Sequence, residues 1–228
     1  MRSKVFIVCI IICHSVLSLF AQNKNDRFHK YGAVSKRQLN TYIGPLVAMS
    51  NVEGYSVVDA GVTGGVAINN KFFIGFYGQK LLTKVPGTDL QTIGYPTYTG
   101  GLVNMIHAGG VLGYIHKTKN VLNWGLSGSA GIGRLQILAK APSSKFENAI
   151  YDDMVIILIP KIFLEVNMTS WFKINVSGGY RLTGKVNSYY QNQAKEKIPI
   201  FDKYGYTKPE ISLSLLVGAF GLRSILLD

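Results

Sequence analysis

Few residues of this 228-residue chain have types and spacings that could do chemistry. A deacylase of the Ser–His–acid kind needs a histidine and a serine within hydrogen-bond reach, with a carboxylate orienting the ring. His29 lies in a polar, basic stretch and His116 beside a turn signal, which leaves His107 inside an alternating apolar run. Its same-face neighbours at spacing two are Met105 and Gly109, neither a nucleophile nor an acid, so only a residue on an adjacent strand would complete such a set. Glu147, Asp152 and Asp153 form an acidic patch, but calcium takes six or more oxygens from a shaped loop, and this spacing reads as solvated loop charge. The glycine-rich run from Gly125 to Gly133 lacks the Gly-Lys-Ser/Thr ending of a phosphate loop and opens no helix. No catalytic residue, metal ligand or cofactor-binding residue follows from these patterns.

The elements that carry these groups read as strands. Leu122, Trp124, Leu126, Ala130 and Ile132 fall on one face of a run whose other face is Asn123, Gly125, Ser127, Ser129 and Gly131. That period of two marks a strand with one greasy and one small, polar face. The pattern repeats from Met154 to Met168, from Trp171 to Thr183 and from Ile211 to Phe220, and upstream from Val58 to Ile68 and from Phe72 to Gln79. Tyr42 to Ser50 and Gly101 to His116 are strand-like, but their faces cannot be assigned from the pattern. Asn69-Asn70, Lys117 to Asn120 and Thr169-Ser170 carry hairpin-turn chemistry. Between them fall longer links: Asn51 to Tyr55, Leu82 to Thr97, Ala139 to Asp153 and Lys185 to Lys208. Short and long connections alternate, as an up-and-down membrane barrel requires.

Composition agrees. Charged residues are 16% of the chain, against about 25% in soluble domains, while hydrophobic residues reach 47% and glycine contributes 25 of 228 positions. Beyond the first segment no apolar run is long enough for a spanning helix. In lipid, backbone amides must pair within the protein, so strands cross only as a closed barrel. Arg2 and Lys4, then the apolar run from Val5 to Phe20 and Ala21-Gln22, have the order of a secretory signal peptide cleaved after Ala21. Cys9 and Cys13 both precede that point, which excludes disulfides, thiolate metal sites and cysteine nucleophiles from the exported chain. Residues 22–40 read as a polar, basic linker and residues 41–228 as the barrel domain.

Asp59, Lys161, Glu165, Lys173 and Arg181 all fall on the small or polar faces, which predicts an internal ionic network. Eight strands leave an interior that side chains can fill, here with Phe73, Tyr77 and Phe163 beside the charges. Phe72, Phe73, Trp124 and Trp171 follow the tight turns, where an interfacial aromatic girdle belongs. The net charge is +12, yet the basic residues are dispersed without a recognition helix or binding motif, so no nucleic acid is expected. The last long link places Lys195, Lys197, Lys203 and Tyr204 together, a set suited to lipopolysaccharide phosphates or an external ligand.

Several segments resemble a family of small, mostly uncharacterised outer-membrane β-barrel proteins of Bacteroidota. They are Tyr42-Ile-Gly-Pro-Leu-Val, Gly64-Gly-Val-Ala-Ile-Asn-Asn-Lys-Phe-Phe-Ile-Gly, Gly100-Gly-Leu-Val, Gly128-Ser-Ala-Gly-Ile-Gly, Pro160-Lys-Ile-Phe-Leu-Glu-Val-Asn-Met-Thr-Ser-Trp-Phe and Gly179-Tyr-Arg, across roughly residues 40 to 222. The resemblance implies an outer-membrane location, with membrane lipid, lipopolysaccharide and the barrel-assembly machinery as partners. It carries no catalytic residue. It also implies a last strand that finishes at an aromatic residue, whereas Phe220 is followed by Gly221 to Asp228. Either Phe220 serves with a tail beyond it, or the last strand runs further.

The expected fold is therefore all-β: an up-and-down antiparallel transmembrane barrel, eight strands, with a structural or surface-interaction role and no porin activity. Two other readings stand beside it. One is an outer-membrane lipid-modifying enzyme using His107. The other is a secreted soluble barrel carrying an apolar ligand, which needs the greasy faces turned inward.

Overall fold

The computed structural model describes residues 39–52, 54–87, 99–116, 121–140, 147–184, 186, 189–191, 197–199 and 205–220. The signal-peptide segment and nearly all of the linker lie outside them. Eight long strands follow in chain order: β1 (Leu39–Val52), β2 (Tyr55–Ile68), β3 (Phe72–Leu81), β4 (Thr99–His116), β5 (Leu122–Lys140), β6 (Glu147–Asn167), β7 (Phe172–Gly184) and β8 (Lys208–Gly218). Each pairs antiparallel with its sequence neighbours, and β1 closes on β8 from Tyr42↔Gly218 to Ser50↔Glu210. The fold is a closed, eight-stranded, up-and-down barrel. A two-residue strand, Val85–Pro86, adds to β4, and Tyr189–Gln191 pairs with Lys197–Pro199 in a separate short hairpin.

The alternating faces sort as the periodicity predicts. Ile74, Phe76, Leu126, Ile132, Ile162, Leu164, Val176 and Leu213 are exposed on the outside, while Ser129, Glu165, Lys173, Ser177 and Ser212 are buried inside. The two strands with unassigned faces are also resolved. Leu46 and Ala48 of β1, and Val103, Met105, Val111 and Ile115 of β4, point inward, so both faces of these strands are apolar and the contrast vanishes. Phe72, Trp124 and Trp171 are exposed at the turn end, as a girdle requires. Phe73 is not part of it: its ring lies inside, 5.9 Å from that of Phe163.

Local chemistry makes the turns. Asn69 and Asn70 both adopt positive φ (54° and 53°), and the Lys71 amide donates to the Ile68 carbonyl at 3.1 Å, so β2 and β3 join through a primed turn. Between β6 and β7 the Thr169 hydroxyl accepts from the Phe172 amide at 2.9 Å. Asn51 to Tyr55, expected as a long link, is instead a tight reversal. β1 and β2 stay paired to Val52↔Tyr55 because Gly54 takes φ 86° and its amide donates to Asn51 Oδ1 at 3.0 Å. Ala139 to Asp153 is mostly strand as well, since β5 and β6 pair as far as Lys140↔Glu147. The alternation of short and long links therefore fails at its first long member. The barrel begins at Leu39, two residues before the expected boundary.

Candidate functional site: the barrel interior

The interior is divided into three levels. The loop half is mostly apolar: Val52, Val57, Leu81, Val103, Met105, Leu135, Ile137, Val155, Ile157 and Ile159 pack into one cluster with Tyr206 from the last loop, and Asp153 is a buried charge at this end. The turn half contains a cavity walled largely by serines and aromatic rings. Between them lies a polar level to which seven strands contribute: Ser50, Asp59, Gln79, His107, Lys161, Arg181 and Glu210. β5 passes this level with Gly131 and Gly133. A Cβ at Gly131 would press on the Tyr77 hydroxyl at 2.8 Å and, more severely, on the Ala108 carbonyl, so the gap accommodates its neighbours.

Of the five charged residues expected inside, Asp59, Glu165, Lys173 and Arg181 are buried and Lys161 is partly so, and all are paired. Arg181 Nη1 donates to Asp59 Oδ2 at 3.0 Å and its Nη2 donates to Ser50 Oγ. Arg181 Nε lies 3.9 Å from Glu210 Oε2, and Glu210 Oε1 accepts from Lys161 Nζ at 2.8 Å. Lys173 Nζ donates to Glu165 Oε1 at 2.8 Å. Lys161 and Glu165 share one face of β6 but not a bond; four residues along a strand separate them by about 13 Å. Each finds its partner across strands instead. Glu210 was missed because the readable alternation starts at Ile211. Its place two residues before Ser212, on the same inward face, was the available signal.

Two of the inward hydroxyls are tied to the ionic network. Lys161 Nζ also donates to Ser212 Oγ at 3.3 Å, and Ser212 lies 2.6 Å from Ser177 Oγ. Lys161 Nζ is thus shared between the Glu210 carboxylate and Ser212. His107 is buried, and its Nδ1 lies 3.4 Å from the Tyr77 hydroxyl. Its other ring nitrogen and both polar atoms of the Gln79 side chain have no protein partner among the described residues. Among the described residues, neither serine nor carboxylate is hydrogen-bonded to His107.

Two other expectations are corrected. Asp152 and Asp153 lie on β6 rather than in a loop. Asp152 faces outward, bonded to Arg134 and Gln136, and the Arg134 guanidinium holds its carboxyl below the usual range. Asp153 faces inward and is buried. Phe220 ends no strand: β8 stops at Gly218, and the chain then crosses the turn end of the barrel, with the Ala219 amide bonded to Thr41 O and the Phe220 amide to Ser170 O, each at 3.1 Å. The Phe220 ring is buried, with Lys173 Nζ 4.2 Å above its centroid. It closes the turn end instead of presenting an aromatic to lipid. Lys195, Lys203 and Tyr204 lie outside the described residues, and Lys197 falls in the short hairpin.

No protein-family model matches the chain, and no curated protein matches it. Among solved structures, Neisserial surface protein A is 11% identical with a TM-score of 0.48, over 79% of this chain and 96% of that one. Ail, the attachment invasion locus protein of Yersinia pestis, is 13% identical with a TM-score of 0.43, over 80% and 97%. The N-terminal β-barrel domain of Pseudomonas aeruginosa OprF is 12% identical with a TM-score of 0.41, over 80% and 99%. At these values no residue of another protein's site is carried onto this chain, and the fold rests on its own strand pairing.

Proposed function

We propose that this chain is an integral outer-membrane β-barrel with a structural or surface-interaction role, exported by a signal peptide cleaved after Ala21. The observation that carries the reading is the outward apolar belt. On β5 the outer face is apolar or small from Leu122 to Ile132 and turns polar at Arg134 and Gln136. Ten residue steps of about 3.3 Å, tilted by about 40°, span about 25 Å, which matches the apolar band of outer-membrane barrels. At the turn end Trp124 stacks with His116, 5.0 Å between ring centroids, and Phe72 with Tyr114 at 5.1 Å. At the other end Lys80, Asn104, Arg134 and Asp152 mark the change to polar surface on four adjacent strands. A soluble carrier of apolar ligands would need these faces inverted.

Two features favour a role without transport or catalysis. The apolar cluster fills most of the loop half and interrupts the polar level among the described residues. Lys161, which donates to Ser212, is ion-paired with Glu210. Membership among the small Bacteroidota barrels, and contact of the last loop with lipopolysaccharide phosphates through Lys195, Lys197, Lys203 and Tyr204, belong to the same reading. Electrophoresis of a washed outer-membrane fraction in SDS, unboiled and boiled, tests it. A folded barrel migrates faster until boiled; recovery in the soluble periplasm without a shift would overturn the proposal. Deleting residues 188–204 should weaken binding to anionic lipid vesicles, and unchanged binding would remove the loop contact.

A further inference from the structure

The cavity in the turn half has a volume of about 80 Å3 and lies between the polar level and Phe220. Its wall is rich in hydroxyls. β5, β7 and β8 contribute Ser127, Ser129, Ser177, Ser212 and Ser214, β1 to β3 contribute Tyr42, Thr63 and Tyr77, and Leu46, Phe73 and Val111 supply apolar surface between them. Ser212 and Ser177 extend the ionic network from Lys161, but Ser127, Ser129 and Ser214 are not bonded to its charges. Three cations (Lys161, Lys173, Arg181) meet three anions (Asp59, Glu165, Glu210) in and above the cavity, and every one is paired. An added ion would bring a buried charge with no counter-charge. A neutral molecule would not.

We propose that this cavity is a binding site for a small neutral molecule bearing hydroxyl groups, a diol or triol of three or four carbons. Hydroxyls both donate and accept, and so match a serine wall whose members do the same. The C–H groups of the ligand lie against Leu46, Phe73 and Val111. Size sets the carbon number: the cavity is about half the ~150 Å3 in which a benzene molecule is held. Entry is from the turn end, past Phe220, because the apolar cluster closes the loop end. The three-residue crossing from Gly218 to Phe220 is held by backbone bonds to Trp171, Thr41 and Ser170, and acts as the lid.

The test uses the full chain folded in detergent, so it does not depend on membrane location. Cys9 and Cys13, the only cysteines, are replaced by alanine, and Ser129→Cys places a thiol in the cavity wall. Its reaction with methyl methanethiosulfonate is followed by mass spectrometry, on protein whose folded state is checked by the cold-SDS band. Phe220→Ala in this background should speed labelling about tenfold by removing the lid. Propylene glycol should protect the thiol saturably, slowing labelling about tenfold at ten times its dissociation constant. Sodium propionate, similar in size but charged, should not protect. Ser129→Leu, filling the cavity, should abolish propylene glycol binding seen by saturation-transfer NMR while the folded band persists. Protection by propionate instead of the diol would overturn the neutral-ligand assignment. Labelling that no small molecule slows would mean a cavity holding water alone, and a thiol unreactive even with Phe220→Ala would remove the entry route; either result sinks the proposal.

Discussion

Arg181→Met is the most stringent test of the interior. Arg181 is 0% exposed and Asp59 1%, so water does not screen the pair. Removing the guanidinium takes the donors from Asp59 Oδ2 and Ser50 Oγ and the nearest cation from Glu210 Oε2, while Asp59 Oδ1 has no partner to begin with. Breaking a buried pair by deleting one member costs about 3–5 kcal/mol, against about 0–1 kcal/mol for an exposed pair. With a guanidinium slope of about 4 kcal/mol/M, the unfolding midpoint should fall by about 1 M. Emission from Trp124 and Trp171, both exposed on the outer face, reports unfolding in detergent micelles. Asp59→Asn alone should also destabilise, and the double variant should lose about 2–3 kcal/mol less than the sum of the two, because the removed charges were partners. A midpoint unchanged in Arg181→Met, or strict additivity in the double variant, would refute a dry, paired ionic level.

Three further outcomes follow from the geometry. Leu112 is 61% exposed and pairs with Gly128 at the middle of the apolar belt, so Leu112→Arg should cost about 2–4 kcal/mol in lipid bilayers by guanidinium unfolding. A Cβ at Gly44 would strike the Leu215 carbonyl in the β1–β8 seam, whereas one at Gly128 meets nothing within 4 Å. Gly44→Val should lose the fast-migrating band in cold SDS, and Gly128→Ala should keep it. Phe220→Ala opens the turn end but leaves the apolar cluster intact, so planar-bilayer recordings should stay at baseline; a conductance step would show that Phe220, not the cluster, is the seal.

How much of this was legible depended on contrast between the faces. Along β5 to β8, outward Leu, Ile and Val alternate with inward Ser, Asn, Lys and Glu, and period two is plain. Along β1 and β4 the inward residues are Leu46, Ala48, Val103, Met105 and Val111, buried because they fill the barrel rather than because lipid is near. The same apolar character on both faces erases the signal. Strand ends were equally hidden: above Arg134 and Asp152 the strands leave the apolar belt yet keep pairing, and backbone pairing has no composition. The inward position of the five charges was readable from parity, but their partners were not. Arg181 and Asp59 meet from strands 122 residues apart in sequence, and only closure of the sheet brings them together. Phe220 shares the parity of Leu216 and Gly218 and is buried accordingly, but parity did not show that β8 stops at Gly218, two residues short of it.

The placement of the seal bears on what the protein can do. Tyr206, fully buried in the apolar cluster, comes from the last long loop, and that loop returns to the wall through bonds at the end of β7. The Thr183 amide donates to Thr207 Oγ1 at 3.0 Å, and the Thr183 hydroxyl to the Tyr206 carbonyl at 3.2 Å. The loop is therefore anchored by the same residue that helps close the interior. A ligand drawing the loop outward would have to extract a buried tyrosine from packed Leu and Ile side chains, at a cost of several kcal/mol. Binding at the basic part of the loop is thus expected to occur on the closed barrel without unsealing it. A ligand in the proposed turn-side site and a partner at the loop would then not compete, because the apolar cluster closes the barrel above the cavity.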